Sequence, residues 1–380
     1  MGLWDDVIGQ PDAVATLRAA AAADPDDPHA GMTHAWLITG PPGSGRSTLA
    51  YAFAAALLGG GPEIETQVAA RTHPDLTVLR TEKVIISIDE VRSLVSSAHY
   101  APSSGRYRVM VIEDADRMSE RTSNLLLKSL EEPPERTVWL LCAPSEADLI
   151  PTIRSRVRSV RLSVPGIADV AALLERRDGV PAELAEQSAR HAQSHIGMAR
   201  ALATDSGARE RRDAAVDAVL SIGSVADAVA VAARLVEIAA ADAAALGEAK
   251  NERERAELLR SLGLQEGQNV PPALRSQVRS LEEDQKRRAT RAQRDGIDRI
   301  LVDLMAVYRD LVLRQLGADT ALIHSERAEQ LEELARQNPV ERTLQTLDAI
   351  ATTRRRLGSN VAPTLALEAL LVSAPRKALA

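Results

Sequence analysis

Aromatic side chains make up only 2% of the 380 residues, with one phenylalanine, three tryptophans and four tyrosines. Any core must therefore be built from Ala, Val, Leu and Ile, which the 45% hydrophobic content supplies. There is one cysteine, Cys142. It excludes an intramolecular disulfide, and a thiol in an apolar run reads as a small buried hydrophobe. No stretch approaches the ~18 uninterrupted apolar residues of a membrane-spanning helix. The N-terminus shows no basic-then-apolar signal segment. These absences lead us to expect a cytoplasmic protein. The formal net charge is −7, and an acidic chain with few aromatics is not a strong nucleic-acid binder on composition alone.

The length suits two or three domains. Residues 1–165 alternate apolar runs with amphipathic ones, as a parallel α/β sheet requires. Strands are expected at Ala35–Thr39, Leu76–Leu79, Arg108–Ile112 and Val138–Cys142. Helices are expected at Gln10–Ala23, Ile88–Ala98 and Glu120–Leu130, the last stopped by Pro133 and Pro134. The segment Asp24–Gly31 reads as a loop. After Pro165 the strand signal ends. Val170–Arg177, Ala182–Ala192 and Met198–Ala203 suggest a small helical domain over 166–207. Residues 208–380 read as all-helical. Ile297, Ile300, Leu301, Leu304, Tyr308 and Leu311 form one apolar stripe. A loop at Gly263–Pro272 interrupts two charged helices. The charge run over 248–294, including Lys286, Arg287, Arg288, Arg291 and Arg294, reads as a solvated hairpin.

Gly40-Pro-Pro-Gly43-Ser44-Gly45-Arg46-Ser47 fills the phosphate-loop pattern G-x-x-x-x-G-K-[ST] except at the lysine. It sits between a strand and a helix, the context the pattern needs, and Thr48 follows in the first helical turn. Glycines let backbone N–H groups close around phosphate oxygens. Arg46 keeps the charge, but its guanidinium is planar and larger than an ammonium. The strand Val109–Ile112 ends in Glu113-Asp114, where carboxylates suit a divalent cation and an attacking water. The usual order is Asp-Glu. Reversal misplaces each carboxylate by about 1.5 Å, and such displacement can cost ~10²-fold in rate. Arg156, after Ser155, is placed to serve a neighbour as an arginine finger, although an exposed arginine taken alone is a solvated charge. Arg154 and Arg158 stand nearby. Arg200, in Gly197-Met-Ala-Arg200, could reach back to phosphates from its helix start. Val7 and Ile8, before Gly9-Gln10, form an apolar turn able to contact a purine.

These elements, together with the run Asn124-Leu-Leu-Leu-Lys-Ser-Leu-Glu-Glu-Pro-Pro134, resemble the bacterial clamp-loader branch of the AAA+ ATPases, with Leu125–Pro134 as the most specific part. The motifs cover about the first 205 residues. The resemblance implies a AAA+ P-loop domain, a helical lid and an oligomerising helical collar. It also implies ATP or ADP as ligand, gamma/tau and delta subunits as partners in a hetero-pentamer, a sliding clamp, and primer–template DNA held without sequence readout.

Within that family, motors keep the loop lysine and Asp-Glu, whereas a stator keeps the Ser-Arg finger and loses hydrolysis. Arg46, Glu113 and Asp114 point to the stator. Cys142-Ala-Pro-Ser145 replaces a threonine-rich sensor segment. The four-cysteine zinc module of the family is missing from Leu58–Asp75. His73 alone cannot supply tetrahedral ligands, so no zinc is expected. Two alternatives stay open: an active AAA+ motor, and a structural adaptor in which Arg156 has no catalytic part.

Overall fold

The computed structural model describes residues 2–23, 31–81, 85–262, 264, 271, 274–358 and 361–376. The chain divides into two units, Met1–Thr204 and Asp205–Ala380. Most of the expected loops at 24–31 and 263–272 lie outside the described residues.

In the first unit five parallel strands run in the order β2-β3-β4-β1-β5: β1 Ala35–Thr39, β2 Leu76–Leu79, β3 Arg108–Ile112, β4 Thr137–Ala143 and β5 Arg158–Arg161. Insertion of β4 between β1 and β3 sets Ile38 beside Cys142 and Ile112 beside Leu141. The ends of β1 and β3 thus flank β4, so the phosphate loop and the acidic pair open on one edge of the sheet. Every residue of β1 and β4 is buried, which explains their unbroken apolar runs. Side chains alternate between two cores. Trp36, Ile38, Val109, Val111, Leu140 and Cys142 pack under helices α1 (Pro11–Ala22) and α2 (Arg46–Leu57). Leu37, Met110, Ile112, Trp139 and Leu141 pack under α4 (Ile88–Ala98) and α5 (Glu120–Glu131). Trp36 meets Phe53 edge-on with ring centres 5.5 Å apart, a favoured aromatic geometry. Burial pushes the Cys142 thiol up to about 12.

The sequence reading lacked β5, in which only Val160 is buried, and α3 (Pro62–Ala69). Ser87 and Glu90 close a reciprocal capping box at the start of α4. A short α6 (Pro151–Arg154) lies between β4 and β5, and after the sheet come α7 (Ile167–Asp178), α8 (Ala182–His191) and α9 (Ile196–Thr204). The last three share a small core of Val170, Leu174, Ala185, Ala189, Ala199 and Leu202, joined by Ile8.

The second unit is helical: α10 Ser206–Leu220, α11 Val225–Ser261, α12 Arg275–Gln315, α13 Ala328–Gln337, α14 Val340–Gly358 and α15 Pro363–Ser373. The stripe from Ile297 to Leu311 is buried as expected. Gly296 lets α12 approach α11 closely, since a Cβ there would stand 3.3 Å from the Ala239 Cβ. Further along the hairpin, charges pair across the two helices. Arg255 meets Glu282 at 2.9 Å, and Arg288 grips Glu254 and Asn251. A polar network is buried beneath α12. Asp310 accepts from the backbone N–H of His324 at 2.8 Å, Arg309 meets its other oxygen at 2.8 Å, and Arg212 reaches Nε2 of His324 at 2.8 Å and Asp303 at 3.1 Å. No helix among the described residues is long and apolar enough to cross a membrane.

Candidate functional site

The phosphate loop leaves the end of β1 and enters α2 through two glycines in left-handed backbone, Gly43 at φ +78° and Gly45 at φ +94°. Side-chain-bearing residues rarely adopt that region. The loop is therefore formed, and the first N–H groups of α2 have no helical acceptors, as phosphate binding needs. Ser44 is buried, its Oγ without a hydrogen-bond partner. Ser47 and Thr48 lie in the first turn of α2.

Arg46 does not extend to where a loop lysine would meet phosphate. Its guanidinium bends back, donating to the Gly40 carbonyl at 2.7 Å and lying 3.9 Å from Asp114. The acidic pair is similarly engaged. Glu113 is buried at the end of β3, accepts a short hydrogen bond from the Tyr51 hydroxyl, and faces Arg71 at 3.4 Å and Arg80 at 3.8 Å. Burial first, and then the Glu113 hydrogen bond, raise the Tyr51 hydroxyl above its ordinary pKa. Asp114 adopts φ +53° and pairs with Arg46 and with Arg117 at 3.5 Å. A magnesium ion would need these carboxylate oxygens, and arginines and a tyrosine already engage them. The donor set does not fit a catalytic cation. Among the described residues no group of three or more His, Cys, Asp or Glu could hold a metal ion.

At the edge of the domain Arg156 is held by its own turn. It donates to the Thr152 carbonyl at 2.7 Å and to Ser155 Oγ at 3.1 Å, and meets Glu131 at 2.5 Å. Glu131 is the last residue of α5, so the run Leu125–Pro134 and the Ser-Arg turn are physically joined. Arg158 is structural: it donates to the Gly31 carbonyl at 2.6 Å and lies 5.1 Å above the Trp36 ring centre. Arg154 and Arg161 line a cavity of about 910 Å³, shared with Gly9, Gly40, Ser145 and Val164.

Val7 packs against the sheet core under α2, and Ile8 against the core of α7–α9. The turn thus joins the two parts of this unit, and Gln10 strengthens the junction by bonding Ser163 twice, at 2.8 and 3.0 Å. Arg200 does not extend to the loop. Its Nε donates to Asp178 at 2.9 Å, at the end of α7. The residues of this region that do meet the loop are His195 and Ile196. Sequence reasoning passed over both, because a lone histidine before a helix carries no periodic signal.

The residues 10–165 match the family model described as DNA polymerase III, delta subunit, and residues 254–374 match that of DNA polymerase III, delta subunit, C terminal. By these matches the chain is similar to the delta-type subunits of DNA polymerase III. It is 38% identical over 164 residues to the delta-prime subunit of Pseudomonas aeruginosa, covering 40% of this chain and 49% of that one, about half of that relative's length. It is 29% identical over 181 residues to the gamma/tau subunit of Mycobacterium tuberculosis H37Rv, covering 45% of this chain and 30% of that one. Among solved structures, a gamma-subunit-related protein of Thermotoga maritima aligns over 94% of this chain and 97% of its own, at 16% identity and a TM-score of 0.42. The strand order, with the loop leading from β1 into α2, is the parallel α/β arrangement expected for a phosphate-loop domain.

Proposed function

We propose that this chain is a stator of a DNA polymerase III clamp loader: a subunit that presents Arg156 to ATP on an adjoining gamma/tau motor and does not turn over nucleotide itself. The observation that carries this reading is a contrast within one domain. Arg156 stands at the rim on a turn braced by Glu131, while Arg46, Glu113 and Asp114 are tied to protein groups. A guanidinium delivered from outside neutralises charge on a phosphoryl group in transfer, and that role needs no working site in the chain that supplies it. The helical unit supplies the collar. Gamma/tau and delta subunits, the sliding clamp and primer–template DNA are the partners this role implies.

The test is Arg156→Ala in a loader reconstituted with gamma/tau and delta subunits. DNA-stimulated hydrolysis at the adjoining motor should fall by about 10³-fold or more, with assembly intact. Unchanged hydrolysis would reduce the chain to an adaptor, and robust ATPase from the purified chain alone would make it a motor.

A further inference from the structure

We propose that His195 and Ile196 form a built-in latch that closes the phosphate loop of this chain to nucleotide. The Ile196 N–H donates to the Gly43 carbonyl at 3.1 Å, tying the first residue of α9 to the loop. The His195 imidazole lies directly against Gly43. A Cβ on that glycine would stand 2.3 Å from the imidazole Cγ and 2.5 Å from Nδ1 and Cδ2. The Ile196 side chain covers the second left-handed glycine, its Cδ1 3.6 Å from where a Gly45 Cβ would be. Two adjacent residues thus pack against both left-handed glycines of the phosphate loop.

The backbone delivers this ring at a cost. Gln193 and Ser194 both take left-handed conformations, at φ +50° and +62°, a region disfavoured for residues with a Cβ. Hydrogen bonds from the Ser194 and His195 N–H groups to the carbonyls of Ala189 and Ala192 hold the turn. Strained backbone of this kind persists where its surroundings over-determine it. His195 also caps α9, since its Nδ1 accepts from the Met198 N–H at 3.1 Å. The capping bond fixes the ring, and the fixed ring covers the loop. Arg46, folded onto the Gly40 carbonyl, removes the cation that would reward a phosphate for displacing the latch. The latch stands independently of the role of Arg156.

Serine is a good helix N-cap, so His195→Ser keeps the cap and deletes only the ring over Gly43. The measurement is titration of the full-length chain with a fluorescent ADP analogue and with ATP plus Mg²⁺. His195→Ser should tighten binding at least tenfold over the unaltered chain, and Arg46→Lys added to it should tighten binding further. Equal affinity of the two chains, or no binding by either, overturns the proposal. Hydrogen exchange on the unaltered chain needs no variant. The Ile196 amide should be protected and stay so when nucleotide is added. Fast exchange, or exchange that responds to nucleotide, overturns the latch as well.

Discussion

Glu131 and Arg156 form an ion pair 2.5 Å long that joins the end of α5 to the turn after α6. The arginine keeps two further bonds, to the Thr152 carbonyl and Ser155 Oγ, so its orientation does not depend on Glu131 alone. Both side chains are substantially exposed, and exposed pairs of this kind contribute about 0–1 kcal/mol. Arg156→Ala should therefore change unfolding free energy by less than about 1 kcal/mol in urea titration. A larger loss would mean that any loader defect reports folding rather than chemistry.

Tyr51→Phe tests the tied-off acidic pair from the other side. It deletes the hydroxyl that Glu113 accepts from while keeping the ring beneath Arg71. A buried carboxylate that loses a hydrogen bond costs about 1–3 kcal/mol. Chemical denaturation should show that loss. If Glu113 served instead as a free catalytic carboxylate, the substitution would leave stability unchanged.

Asp75 should govern acid sensitivity of the first unit. Burial pushes its carboxyl up, but the N–H groups of Ser103, Gly105 and Ser104 and the Ser103 hydroxyl outweigh it and hold the group well below the usual carboxylate range. Its folded pKa is depressed, so its stabilisation is complete above the unfolded value of about 3.9 and fades as pH falls through the folded value. Melting temperature should drop below about pH 4. Asp75→Asn should lower stability at neutral pH and flatten that dependence, as followed by calorimetry.

The helical unit should be most sensitive at Arg212. A guanidinium only donates, so Nε2 of His324 accepts from it, which leaves the Nδ1 proton for Asp310 at 3.1 Å. The His324 contacts outweigh burial and keep the Asp310 carboxyl below its ordinary pKa. Arg212→Leu removes the donor that sets this tautomer and takes away the guanidinium that meets Asp303. Breaking such buried ionic contacts costs about 3–5 kcal/mol. Denaturant unfolding followed by circular dichroism should show a loss in that range, whereas a loss under about 1 kcal/mol would mean the network adds little.

What the sequence revealed follows from burial. β1 and β4 are covered on both faces and stand out as apolar runs. β5 lies at the sheet margin with three of four residues exposed, so Arg158–Arg161 gave no alternation to read. The phosphate loop was legible because its glycines are fixed in spacing. The fate of Arg46, Glu113 and Arg200 was not, because each depends on a partner distant in sequence: Asp114, Tyr51 and Asp178. His195 was harder still, since its role arises from two left-handed residues before it and a glycine about 150 positions away.

The single thiol of the chain, Cys142, lies in the central strand with its side chain 1% exposed. Its raised pKa keeps it protonated, and the thiolate is the reactive form. A maleimide dye will therefore pass it by. A cysteine introduced at the rim, beside Arg156 or on α9, becomes the one labelled position in an otherwise unaltered chain. Fluorescence from one site can then follow the loop and the Arg156 edge separately, with no background cysteine to remove first.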